Sequence, residues 1–172
     1  SKLDKSMKVF LFISKQKKTL SMYLPYFEAL NKKLDITRNM ADADIVLLLG
    51  AWTMKGARLA KKSRKMGIPY IVCPLGDISE RNRKNPHLRR ILQTCAYQKA
   101  MYKHAELLIA PTPMERNYLM KLGWNSRITP ISYFGYTQLT NEIAMVHDWN
   151  TANNSTLVGF EKRKAEAIDK RT

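Results

Sequence analysis

The stretch Cys73-Pro74-Leu75-Gly76-Asp77-Ile78-Ser79 ends an apolar run, Tyr70 to Cys73, in a glycine turn that carries one carboxylate. Ligands of open α/β sheets bind outside the carboxyl ends of the strands, so an acid at such an exit is a candidate for work on a ligand. The alternative is that Asp77 caps its own turn through neighbouring backbone N–H groups. Two more strand exits carry reactive or recognising side chains. After Lys8 to Ser14 comes a glycine-free loop with Lys15, Lys17 and Lys18, which is either a phosphate-facing cluster or a solvated charge run. After Ile45 to Leu49, Gly50 gives a tight exit and places Trp52 on the loop. Its ring either stacks on a sugar ring or lipid chain, or packs under the following helix.

Other chemistries lack their residues. No strand is followed by GxGxxG, and no GxxxxGK[ST] occurs, so neither nucleotide-binding loop is supported. There is no CxxC or HExxH, and His87, His104 and His147 are scattered, so no metal is implied. Cys73 falls in a strand and Cys95 on an amphipathic helix, where each reads as a small buried residue.

These positions need a scaffold, and the hydrophobic pattern supplies one. Strand-like runs at Lys8–Ser14, around Ile36, Ala43–Gly50, Tyr70–Cys73, Ala105–Pro111 and Arg127–Ser132 alternate with helix-like segments. The central runs are continuously apolar, as strands buried on both faces must be. In the first helix Leu20, Tyr23, Leu24, Phe27 and Leu30 share a face, and Pro25 fits its first turn. The next helix, Thr53 to Met66, is closed by Gly67 with Pro69 beyond. A further one is expected from Pro86, capped by Asn85, with Leu88, Ile91, Leu92 and Cys95 as its stripe. Thr112-Pro113-Met114-Glu115 combines a capping box with Pro at the first helical position, and Gly123 ends that helix. The alternation predicts a doubly wound, Rossmann-like, mostly parallel sheet with helices on both faces. This domain is expected to span 1–136. Residues 137–172 read as a polar connection with one apolar cluster, Ile143 to Val146, followed by a C-terminal helix.

At 172 residues and 45% apolar content the chain suits about one globular domain. Its 30 Lys and Arg against 14 Asp and Glu give a net charge of +16, which calls for an anionic partner. The helix from Thr53 turns Met54, Ala57 and Ala60 inward and exposes Lys55, Arg58, Lys61, Lys62, Arg64 and Lys65. Arg81, Arg83, Lys84, Arg89 and Arg90 follow. The charged start lacks the apolar core of a signal peptide, and no run is long enough to span a bilayer. A cytoplasmic location is expected. Nucleic acid fits the charge but is disfavoured, because no RNP-like aromatic pair, zinc spacing or helix-turn-helix pattern accompanies it.

From Asp44 to Ser132 the chain resembles the N-terminal, acceptor-side half of a GT-B glycosyltransferase. More narrowly, it is similar to the retaining, family 4-like bacterial group that builds capsule, lipopolysaccharide and other surface glycans. The resemblance rests on the Gly50-x-Trp52 turn, the Gly67-Ile68-Pro69-Tyr70 strand leading to Pro74-x-Gly76-x-x-Ser79, and the Ala105-Glu106-x-x-x-Ala110 strand. A helix ending Leu122-Gly123 follows that last strand. Four family features are absent. Leu49 and Leu75 stand where that group has histidines, the glycine pair after the first strand is missing, and Ser132 to Tyr136 replaces the usual ending.

The resemblance implies transfer of a sugar from a nucleotide-sugar donor to a growing, lipid-linked glycan. Acceptor contacts are then expected at Lys15, Trp52, Gly76, Asp77 and Arg81. With Leu75 in place of a histidine, Asp77 is the nearest titratable group to orient or deprotonate an acceptor hydroxyl. The nucleotide sugar is expected in a C-terminal domain that nothing in this sequence resembles. The chain thus reads as half an enzyme, inactive alone, with no cofactor of its own; the alternatives are a non-catalytic basic domain that binds nucleic acid or anionic membrane, or a scaffold descended from the transferase fold. Its basic helix face is expected to make it peripheral to the anionic inner membrane.

Overall fold

A computed structural model describes residues 7–15, 18, 21–50, 53–75, 95–132 and 135–169, with 95, 96, 136 and 155–169 described by backbone alone. Six strands form one sheet: β1 (Lys8–Ile13), β2 (Asp35–Thr37), β3 (Ile45–Leu49), β4 (Tyr70–Cys73), β5 (Leu107–Ala110) and β6 (Ile128–Pro130). Their order is β2-β1-β3-β4-β5-β6, and every pairing is parallel. The longer helices among the described residues are α1 (Leu24–Lys33), α2 (Met54–Lys65), α3 (Cys95–Lys103), α4 (Pro113–Leu122) and α5 (Tyr136–Asp169), with a short 3-10 helix at Met40–Asp42 and helical backbone at Lys15 and Lys18.

Side chains alternate across the sheet, so each strand feeds two cores. Val9, Ile45, Leu47, Leu49, Ile71, Leu107 and Ile109 face one layer, where Tyr26, Phe27 and Leu30 of α1 and Leu139 and Ile143 of α5 cover them. Val46, Leu48, Tyr70, Val72 and Leu108 face the other, under Ala60 of α2, Met101 and Tyr102 of α3, and Leu119 of α4. The result is the expected doubly wound α/β/α architecture, with β3 and β4 buried along their whole length.

Local chemistry sets the helix ends. In α1 Pro25 lies in the first turn, where its missing N–H costs nothing. Thr53 and Thr112 cap α2 and α4 by accepting from the N–H groups of Gly56 and Glu115. Gly123, at φ 62°, takes the left-handed position that closes α4.

Some expectations need correction. Leu24 and Met54 are exposed, not turned inward; Tyr26 supplies the buried position in α1, and Gly56 and Ser63 join Ala57 and Ala60 in α2. Tyr136–Asp169 form one continuous helix, where the sequence suggested a polar stretch followed by a separate helix. Thr and Asn have modest helix propensity, but Leu139, Ile143 and Val146 fall at i, i+4 and i+7 and pack against the sheet. Tertiary burial of that stripe outweighs the weak propensity. The helix expected from Pro86 lies outside the described residues up to Cys95, where α3 begins.

Candidate functional site

Chain direction reverses between β1 and β3: from β1 the chain moves outward to β2, and from β3 it moves the other way through β4, β5 and β6. Such a switch point opens a crevice at the carboxyl ends of the two strands, because their following segments diverge to opposite faces. The segments leaving β1 and β3 border it, so the Lys15 and Gly50 exits meet at one place.

The backbone here is tightly held. Ser14 donates its N–H to Leu49 O at 3.3 Å, and Gly50 donates to Cys73 O at 2.8 Å, carrying the ladder one step past the strands. Gly50 takes φ 57°, and Leu75, two residues past the end of β4, takes φ 52°. Gly adopts this region freely, whereas a leucine there is strained by about 1–2 kcal/mol. Leu75 is fully buried in the α1-side core, so its packing holds the strained backbone just past β4.

Three cations border the crevice. Lys15 and Lys18 are exposed after β1 and have helical backbone, not the loop expected from the sequence; the Lys18 N–H donates to Ser14 O at 3.0 Å, four residues back. Lys55, in the first turn of α2, sets its ammonium 5.7 Å from the centre of the Phe12 ring, near the end of β1. That distance allows a cation–π contact. Lys55 therefore belongs to the rim of the switch point as well as to the basic face of its helix. The N-terminus of α2 adds the partial positive charge of its unpaired N–H groups on the same side.

Arg58, Lys61, Lys62 and Lys65 are exposed along α2 and follow one another at helical spacing. No acid occurs in this helix, and among the described residues none of these cations has an ion-pair partner. Arg64 behaves differently. It is half-buried, and its Nη1 donates to Tyr70 Oη at 3.1 Å and to Ala100 O at 3.2 Å. Tyr70 Oη in turn donates to Met101 O at 2.6 Å. Arg64 thus ties α2 to β4 and α3. Burial pushes the Tyr70 phenol above its ordinary range, outweighing the opposite pull of the Arg64 guanidinium.

Sequence reasoning did not single out Gln98, a fully buried amide on α3 whose Nε2 donates to the carbonyl of Thr53 at 3.3 Å. It fastens α3 to the start of α2, beside the crevice. Its only signal in the sequence is a polar residue one turn before Met101 and Tyr102, on the apolar face of the helix. Trp52, Gly76, Asp77 and Arg81 lie outside the described residues. Among the described residues no group of three or more His, Cys, Asp and Glu could hold a metal ion. None of their helices is long and apolar enough to cross a membrane.

Comparison with family models, curated proteins and solved structures returns no match.

Proposed function

We propose that this chain is the acceptor-side half of a retaining GT-B glycosyltransferase that extends a lipid-linked bacterial surface glycan. The observation that carries the reading is the switch point between β1 and β3, with its rim of Lys15, Lys18 and Lys55. A cationic rim beside a helix N-terminus suits an acceptor that carries phosphate. A donor-binding half, closing over the carboxyl edge, supplies the nucleotide sugar. In this reading Trp52 and Gly76 contact the acceptor, Arg81 meets its phosphate, and Asp77 orients or deprotonates the accepting hydroxyl.

The unpaired cations of α2 support docking on the anionic inner leaflet, where each contributes about 1 kcal/mol near the surface. The catalytic crevice then faces an acceptor held in the bilayer, and the protein is peripheral to the membrane from the cytoplasmic side.

The test is sugar transfer by the protein as its host makes it, given nucleotide sugars and polyprenyl-pyrophosphate-linked acceptors. Transfer is expected, with Asp77→Asn lowering kcat at least about a hundredfold, in the usual range for losing a general base. Unchanged turnover in Asp77→Asn removes that residue from the chemistry. Transfer by the 172-residue chain alone overturns the half-enzyme reading. Absence of transfer, together with salt-dependent binding to RNA or DNA that exceeds binding to anionic vesicles, replaces it with a nucleic-acid-binding one.

A further inference from the structure

The edge of the sheet opposite the switch point holds a groove of about 540 Å³, between α5 and the amino ends of β5 and β6. Glu142, Met145, Val146 and Trp149 line it from one face of α5, at i, i+3, i+4 and i+7. Leu107 and Ile128 line it from the first positions of β5 and β6, and Glu106 and Arg127 from the residues just before them. We propose that this groove docks an amphipathic segment of a partner protein that bears a single Lys or Arg beside an apolar anchor.

The charge pattern selects that occupant. The Arg127 guanidinium is committed to Glu106 at 2.9 Å, while Glu142 has no ion-pair partner among the described residues. From Tyr136 to Asn154 α5 has no Lys or Arg at all, in a chain of net charge +16. The groove is therefore a locally acidic site within a basic protein. It repels phosphate and anionic lipid, and it favours one cation over a basic run, which the rest of the surface would repel.

The apolar part selects a segment with an anchor over a bare amine. Met145 is 63% exposed and Trp149 57% exposed, both on the stripe that faces the groove. A helix presenting Met and Trp at i and i+4 offers a flexible thioether and a flat aromatic face, which suit an inserted aliphatic or aromatic side chain. The Trp149 ring and the Glu142 carboxylate together suit the stem and head of the adjacent Lys or Arg. The site lies at the other end of the strands from the sugar-transfer crevice, so its occupancy and that activity are separable.

The experiment is a titration of the full chain with a short helical peptide, acetylated and amidated, carrying one Lys between leucines spaced i and i+4. The readout is the NMR signals of the Met145 methyl and the Trp149 indole. Saturable shifts of both are expected. Replacing the peptide Lys by Gln, or Glu142→Gln in the protein, should each weaken binding about tenfold, and the two together little more than either alone. Trp149→Ala, at an exposed position, should abolish binding while leaving the melting temperature unchanged. Equal affinity for the Lys and Gln peptides overturns the proposal. So does the absence of shifts at Met145 and Trp149, equal binding by butylammonium alone, or the same shifts produced by anionic phospholipid vesicles.

Discussion

Leu75 carries the one left-handed backbone among the described residues that is not a glycine, and its side chain is fully buried. Those two facts predict an inverted mutational order. In a strand or helix, glycine is less stable than alanine by about 0.5–1 kcal/mol. At φ 52° the alanine Cβ keeps the strain that glycine relieves. Both Leu75→Ala and Leu75→Gly empty the same pocket and should destabilise by a few kcal/mol, in the usual range of about 2–5 for buried leucines. Leu75→Gly should nonetheless be the more stable of the two in urea unfolding; the ordinary order would mean the backbone is not held there. Tyr70 makes a second residue-scale prediction. Its phenol is raised above 10.0, so the folded state favours the neutral form. That contribution to stability is complete below the unfolded value and is lost as pH rises through the folded one. Unfolding free energy should therefore fall above about pH 10 more steeply in the wild type than in Tyr70→Phe. At pH 7 that variant should cost about 1–2 kcal/mol for the lost bond to Met101 O. Parallel pH curves for the two proteins would show that Tyr70 is not the group responsible.

Among the elements, α2 carries two kinds of cation that look alike in the sequence. Arg58, Lys61, Lys62 and Lys65 are exposed without acidic partners, whereas Arg64 bonds to Tyr70 and Ala100. Changing Lys61 and Lys62 together to Gln should weaken sedimentation with anionic vesicles several-fold and leave the melting temperature within a degree or two, as is usual for surface changes. Arg64→Gln should do the reverse, lowering the melting temperature and sparing vesicle binding. If both variants lose vesicle binding equally, α2 is not the docking face. The same helix marks where the sequence stopped being informative. Its ends were legible because Thr53 and Gly67 are local signals, and the strands were legible because Ile45–Leu49 and Tyr70–Cys73 are apolar without interruption. Arg64 was not separable from its neighbours, because its partners lie on β4 and α3, far along the chain. Gln98 was missed for the same reason, since its role depends on the Thr53 carbonyl coming within 3.3 Å. Of the expected acceptor contacts, Lys15 falls at the switch point because a strand exit is readable from pattern alone. The proximity of Lys55 to Phe12 could come only from packing α2 over β1.

At the scale of the whole molecule, the α1-side layer is closed by a helix that the sequence made look like a linker. Leu139 and Ile143 are fully buried in the layer that holds Leu107 and Ile109 of β5 and Ile131, just past β6. Lys33 Nζ also donates to Thr137 Oγ1 at 3.2 Å, joining α1 to the start of α5. The core therefore extends past Tyr136, and β5 and β6 depend on α5 for their cover on this face. A chain ending at Gly135 should bind a hydrophobic dye and lose its cooperative thermal transition. Burial of two such side chains is worth about 3–6 kcal/mol, a large part of the 5–15 kcal/mol that holds a domain of this size. A chain ending at Asn154 keeps Leu139, Ile143 and Val146 and should melt cooperatively close to the full-length temperature. The contrast separates cover from connection. If the shorter chain melts as sharply as the longer one, α5 is a tether laid on a finished domain, and the groove beside Met145 and Trp149 loses one of its walls without cost to the fold. If only the longer chain folds, α5 is part of the domain, and any partner seated in that groove binds against the same helix that closes the core.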